Sequence, residues 1–164
     1  MFFGERSWEV NFLVKVFVVY DTKYGNTKLV AEKIMEGLKE VKGVEATIGD
    51  VEEVDAKYTA DYDAVLIGSP NHAGRPARGI DKFIDKLGKL GLKEKQVAVF
   101  DTYLGGDFEK VVKKMEKSVK EKTELQIITP GLSVKVEGMK GPVAEGEFTK
   151  AKEFGKKIAK QLTK

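Results

Sequence analysis

The chain has 164 residues, 41% of them apolar and 34% charged, with no cysteine and a net charge of +3. That is enough chain for one domain around a single core, and the missing cysteines exclude a disulfide framework, a thiolate zinc site and a cysteine nucleophile. No apolar run approaches the roughly 18–20 residues that cross a bilayer, and stretches such as VVKKMEKSVKEK mix charges at helical spacing, as a solvated helix face does and a nucleic-acid stripe does not.

In chain order, MFFGERSWEVNF comes first and belongs to no expected element, so residues 1–13 are read as an extension to one unit, 14–164. Its Phe2, Phe3, Trp8 and Phe12 are expected to dock on the body or on a neighbouring subunit; the alternative is a start-site artefact ordered only by packing. An apolar run over Val14–Tyr20 predicts the first strand, and apolar residues at Val30, Ile34, Leu38 and Val41 predict a helix over Thr27–Val41. A second strand is expected over Val44–Ile48, then at most one short helical turn within Val51–Tyr62, then a third strand over Ala64–Ser69. Ile80, Phe83, Ile84, Leu87 and Leu90 share one face of a helix over Gly79–Leu90. A fourth strand covers Val97–Phe100, and a helix over Asp107–Lys120 carries Phe108, Val111, Val112, Met115 and Val119, with Asp107 as its N-cap. A fifth strand over Leu125–Thr129 and a helix over Gly146–Leu162 complete the pattern.

Strands alternating with helices imply right-handed parallel crossovers, hence an α/β doubly wound sheet covered on both faces. The runs FVV and VLI are continuous rather than alternating, as strands buried on both sides require. Ligands of such sheets bind beyond the carboxyl ends of the strands, where the strand order reverses. Three segments converge there: Asp21–Thr27, Ser69–Arg78 and Asp101–Gly106.

The first of these, DTKYGNT, runs from a strand straight into a helix N-terminus. Amides there ring a concavity suited to a phosphate, with hydroxyls at Thr22 and Thr27 and a close backbone approach at Gly25. Plain helix capping by Asn26 or Thr27 is the simpler reading, and it accounts for one residue but not for the density of donors.

The stretch VVYDTKYGNTKLVAEKI resembles the flavodoxin signature. The match runs through Val18, Val19 and Tyr20, then Thr22, Gly25, Thr27, Ala31 and Ile34, and the likeness extends over Val14–Leu162. The resemblance implies a flavodoxin-like five-stranded parallel sheet of order 2-1-3-4-5 with helices on both faces, and FMN as cofactor. It implies that Thr22, Lys23, Tyr24, Gly25, Asn26 and Thr27 wrap the 5′-phosphate. The flavin ring would then lie between Pro70, Asn71, His72, Ala73 and Gly74 on one side and Asp101, Thr102, Tyr103, Leu104, Gly105, Gly106 and Asp107 on the other. Tyr103 is the expected outer stacking aromatic, and amides around Thr102–Gly105 face the pyrimidine edge. This chain lacks the tryptophan that flavodoxins often place near His72. SPNHAGRP is closer to the flavodoxin-like domain of flavodiiron proteins, which leaves His72 as a partial substitute on the inner face.

The implied function is an electron carrier shuttling between redox partner proteins, with no catalytic residue and no metal of its own. A peptide carbonyl near Gly74 or in Asn71–Ala73 would turn toward the reduced ring, since glycine permits the turn at low strain. Arg75 and Arg78 either sit at the site rim, steering an anionic partner or substrate, or face solvent. A cytoplasmic monomer or small homo-oligomer is expected, with neither membrane nor nucleic acid as partner. The alternative in another class is an FMN-dependent NAD(P)H:quinone or flavin reductase of related fold. Its longer loops and a second G-x-G-x-x-G nucleotide fingerprint do not appear here. A module that keeps the fold without the cofactor is a third reading. A phosphoacceptor receiver domain is excluded, because Gly68-Ser69-Pro70 stands where its aspartate would end the third strand.

Overall fold

The computed structural model describes residues 13–164, so the expected docking of Phe2, Phe3, Trp8 and Phe12 lies outside the described residues. The described chain begins β1 (Val14–Tyr20), α1 (Asn26–Lys39), β2 (Val44–Asp50), a 3₁₀ turn (Ala56–Asp61) and β3 (Ala64–Pro70). It continues through α2 (Arg78–Leu90), β4 (Gln96–Tyr103), α3 (Lys110–Lys122), β5 (Gln126–Ile127), β6 (Leu132–Lys135) and α4 (Glu147–Leu162). The strands are all parallel, in the order β2-β1-β3-β4-β5, as expected.

The fifth strand departs from expectation. A single strand over Leu125–Thr129 is expected; instead two residues of β5 pair with Gln96 and Val97, and β6 pairs separately with Phe100–Tyr103. Thr129-Pro130-Gly131 interrupts the ladder because proline has no N–H to donate and Gly131 lies too close to Val99 and Val112 for a side chain. The Gly131 N–H is taken instead by the Glu116 carboxylate of α3 at 2.9 Å.

The α3 start is also corrected. Asp107 does not cap it: the N-cap is Glu109, in the left-handed region at φ 63° and without a side-chain cap bond. The cap comes from the sheet. Asp101 at the end of β4 accepts the Val112 N–H at 3.0 Å, and Ser133 Oγ of β6 accepts the Glu109 N–H at 3.0 Å.

Apolar burial sorts into two layers. Phe17, Val19, Val65, Ile67, Val97 and Val99 face α2 and α3, while Val16, Val18, Leu66, Ala98 and Phe100 face α1 and α4. The alternation follows the two-residue strand period, with both faces covered. Helices α1 and α4 touch main chain to main chain: a Cβ at Gly37 would collide with the Lys152 carbonyl, and one at Gly155 with that of Ile34.

Candidate functional site

At the carboxyl ends of β1, β3 and β4 lies a cavity of about 520 Å³. Three loops wall it, through Thr22, Lys23, Tyr24, Asn26 and Thr27, through Pro70, Asn71, His72 and Ala73, and through Thr102, Tyr103, Leu104 and Asp107.

The first loop turns on Gly25 at φ 94°, whose N–H donates to Thr22 Oγ1 at 2.9 Å. That glycine is the N-cap of α1 and offers no side-chain oxygen to the first-turn amides; neither Asn26 nor Thr27 caps the helix. Among the described residues the amides of Lys23, Tyr24, Asn26 and Thr27 have no backbone or side-chain acceptor. Oriented amides at a positive helix end with no built-in anion have the chemistry that suits a phosphate. Thr27 is buried, and its hydroxyl pairs with that of Thr102 at 2.9 Å, which ties the first loop to the third. Tyr24 stands at the mouth, 41% exposed, with the ammonium groups of Lys23 and Lys140 at 5.5 and 6.0 Å from its ring centre.

The second loop is a tight reversal. His72 and Arg75 exchange backbone hydrogen bonds at 2.9 and 3.0 Å, and Ala73 and Gly74 between them both have positive φ, 52° and 81°. An alanine in that region is strained, and the turn is held from several directions. The Gly74 N–H donates to Asn71 Oδ1 at 2.6 Å, Asn71 Nδ2 donates to Asp107 Oδ2 at 3.0 Å, and Lys114 Nζ donates to the Gly74 carbonyl at 2.6 Å. Asp107 therefore bridges the second and third loops.

In the third loop, Tyr103 packs edge-on against Phe108 with ring centres 5.6 Å apart and borders the cavity beside the exposed Leu104. The strand alternation that aims Thr102 at α1 aims Asp101 the other way, toward α3. Its fully buried carboxylate takes the Ser133 hydroxyl at 2.6 Å and the Val112 N–H, and burial pushes its pKa up to about 6. The Asp101 side chain thus departs from expectation: it braces the site from below and does not line the cavity. The expected contacts Gly25, Gly74, Gly105 and Gly106 likewise do not line the cavity, though Gly25 and Gly74 shape its loops.

Sequence reasoning missed a fourth wall. Residues 136–143 leave β6, bridge back on themselves at Val136 and Val143, and bring Val136 and Met139 to the cavity. Met139, 70% exposed, reaches the Tyr24 hydroxyl with its sulfur at 3.8 Å, and Gly141 lies against the Asn26 side chain, where a Cβ would not fit.

Known proteins agree with this geometry. The family model described as Flavodoxin domain matches residues 17–135. A flavodoxin of Aquifex aeolicus (strain VF5) is 35% identical over 73 residues, 44% of this chain and 40% of that protein. One of Clostridium saccharobutylicum is 28% identical over 89 residues, 54% of this chain and 56% of that protein. The aligned part thus spans about half the length of these curated relatives. In fold, a solved flavodoxin from the domain Archaea superposes with a TM-score of 0.79 at 23% identity, over 92% of this chain and all of that one. The flavodiiron protein of Giardia intestinalis does so at 0.77 and 19%, over 96% of this chain and 39% of that one. Signature loop, strand order and family match converge: the chain belongs to the flavodoxin family.

Proposed function

We propose that the protein binds FMN in this cavity and carries electrons between redox partner proteins as a cytoplasmic monomer or small homo-oligomer. The observation that carries the reading is the uncapped mouth of α1, with its unpaired amides, at one end of a cavity of about 520 Å³. That size falls in the range of cofactor sites, and the amides supply what a phosphate needs. Bound FMN would supply the redox chemistry, one-electron transfer; the chain supplies affinity, orientation and exclusion of water.

In this reading Lys23, Tyr24, Asn26 and Thr27 donate backbone N–H groups to the phosphate, and Thr22, with its oxygen already holding Gly25, donates its O–H. Tyr103 stacks on the outer face of the ring, and His72 and Ala73 line the inner face. The second loop carries the redox-linked carbonyl. Gly74 is a poor source for it, because its carbonyl already accepts from Lys114 and its N–H is held by Asn71. The Ala73 carbonyl has no donor among the described residues, which supports it as the group that meets the reduced ring.

The test is direct. Titrating purified protein into FMN should quench flavin fluorescence with a one-to-one endpoint; an unchanged signal at micromolar concentrations of both refutes the reading. Mixing the loaded protein with NADPH and with NADH in a stopped-flow instrument should give no rapid bleaching of the flavin band. Fast direct reduction would favour the FMN-dependent NAD(P)H:quinone or flavin reductase instead.

A further inference from the structure

A groove of about 650 Å³ opens beside the cavity, and Thr22, Lys23 and His72 border both. Helix α2 forms one side of it and the segment after β2, through Val51, Glu52 and Val54, forms the other. Charge on α2 is sorted by face. Asp85 is paired with Lys122 of α3 at 2.8 Å, and Asp81 lies within the field of the same ammonium, so the acidic face of the helix is neutralised against its neighbour. Arg78, Lys82 and Lys86 recur every four residues on the groove face, all exposed. No ion pair to these three, or to Lys23 at the rim, occurs among the described residues. At helical rise the row is about 12 Å long.

Unpaired cations held in a row repel one another and are relieved by a matching row of carboxylates. Their spacing along a helix, without convergence on one point, suits an extended acidic surface better than one small anion. The half-buried Asp21 and the exposed Glu52 also line the groove, so a small anion within it would meet two carboxylates, whereas the row of cations stands on the α2 side. We propose that this face docks an acidic protein partner, its carboxylates set against Lys23, Arg78, Lys82 and Lys86, which brings it to the cavity mouth at His72. That the partner exchanges electrons rests on the proposed carrier function; the docking itself rests on the charge layout alone.

The probe is a poly-L-glutamate of about 20 residues carrying a far-red dye, whose emission stays clear of the flavin band, titrated at low salt against FMN-treated protein and followed by anisotropy. K82E/K86E should weaken binding about tenfold or more, whereas K157E/K160E, the same charge change on α4 across the sheet, should weaken it less than about twofold. Equal losses in the two variants, or no binding by the unaltered protein, overturn the proposal. So does displacement of the peptide by inorganic tripolyphosphate binding one-to-one and more tightly, which would mark a small-anion site. Flavin quenching recorded on the same samples separates the two readings. Discrimination between variants without quenching leaves the docking face standing and removes the carrier; quenching without discrimination does the reverse.

Discussion

Asp101 makes the stability of the site floor depend on pH in an unusual direction. Burial pushes its carboxyl up from the ordinary 3.8 to about 6 in the fold, outweighing the hydrogen bonds from Ser133 and Val112. Between those values the folded state holds the extra proton, so this group's contribution is fully present below about pH 3.8 and is lost as pH rises through about 6. That displacement corresponds to about 3 kcal/mol lost by neutral pH. D101N removes the titration while keeping an acceptor for the Val112 amide. Urea unfolding of both proteins at intervals from pH 4 to 7.5 should show the parent losing about 2.4 kcal/mol relative to D101N across the window, the remainder lying below pH 4, with no further change above about pH 7. Any fixed offset from the altered Ser133 bond cancels in the slope. S133A, which deletes a bond favouring the charged form, should move the window upward. A pH-independent difference, or a carbon-detected titration placing Asp101 at or below 4, would refute the reasoning.

Four shorter expectations go with it. T22A, which frees the Gly25 N–H and removes a hydroxyl at the helix mouth, should weaken FMN binding by about 1 kcal/mol in fluorescence titration. Y103A should lower FMN affinity by about 0.5–1.5 kcal/mol beyond the lost contact area, readable in the same titration. A73G relieves a left-handed alanine and should raise stability by about 1 kcal/mol in denaturant unfolding, provided the Gly74 clamps stay in place. G155A forces a methyl group into the Ile34 carbonyl and should cost at least about 1–3 kcal/mol in the same assay.

The parts of the fold that follow from periodicity are legible in the sequence alone. The run VFVVY and the spacing Val30, Ile34, Leu38 leave little freedom, and β1 and α1 fall where they indicate. The fifth strand was not readable as one piece, because Leu125–Thr129 is apolar enough to extend while Pro130 and Gly131 stop it through ladder geometry and close packing. Asp101 was misassigned because adjacency to Thr102 in sequence hides that neighbouring strand residues face opposite layers. Counting alternation back from Val97 and Val99, which face α3, would have turned it inward. Asp107 read as a cap because it precedes an apolar helical pattern, yet its carboxylate is engaged by Asn71 from another loop, a contact no local pattern contains. The wall at Val136 and Met139 carries no period of either kind, and only the return of the chain from β6 past α1 brings it to Tyr24.

Where α1 and α4 meet at Gly37 and Gly155, no side chain lies between the two main chains to act as a cushion. The pedestal under the proposed anion seat is therefore bolted down. A cofactor arriving from solvent should find its tail's berth already in register, while the ring's berth still depends on the clamped reversal at 72–75. In the proposed carrier, loading would then run tail first and ring second. Alterations to that reversal should change how fast the cofactor enters and leaves far more than how its phosphate is held.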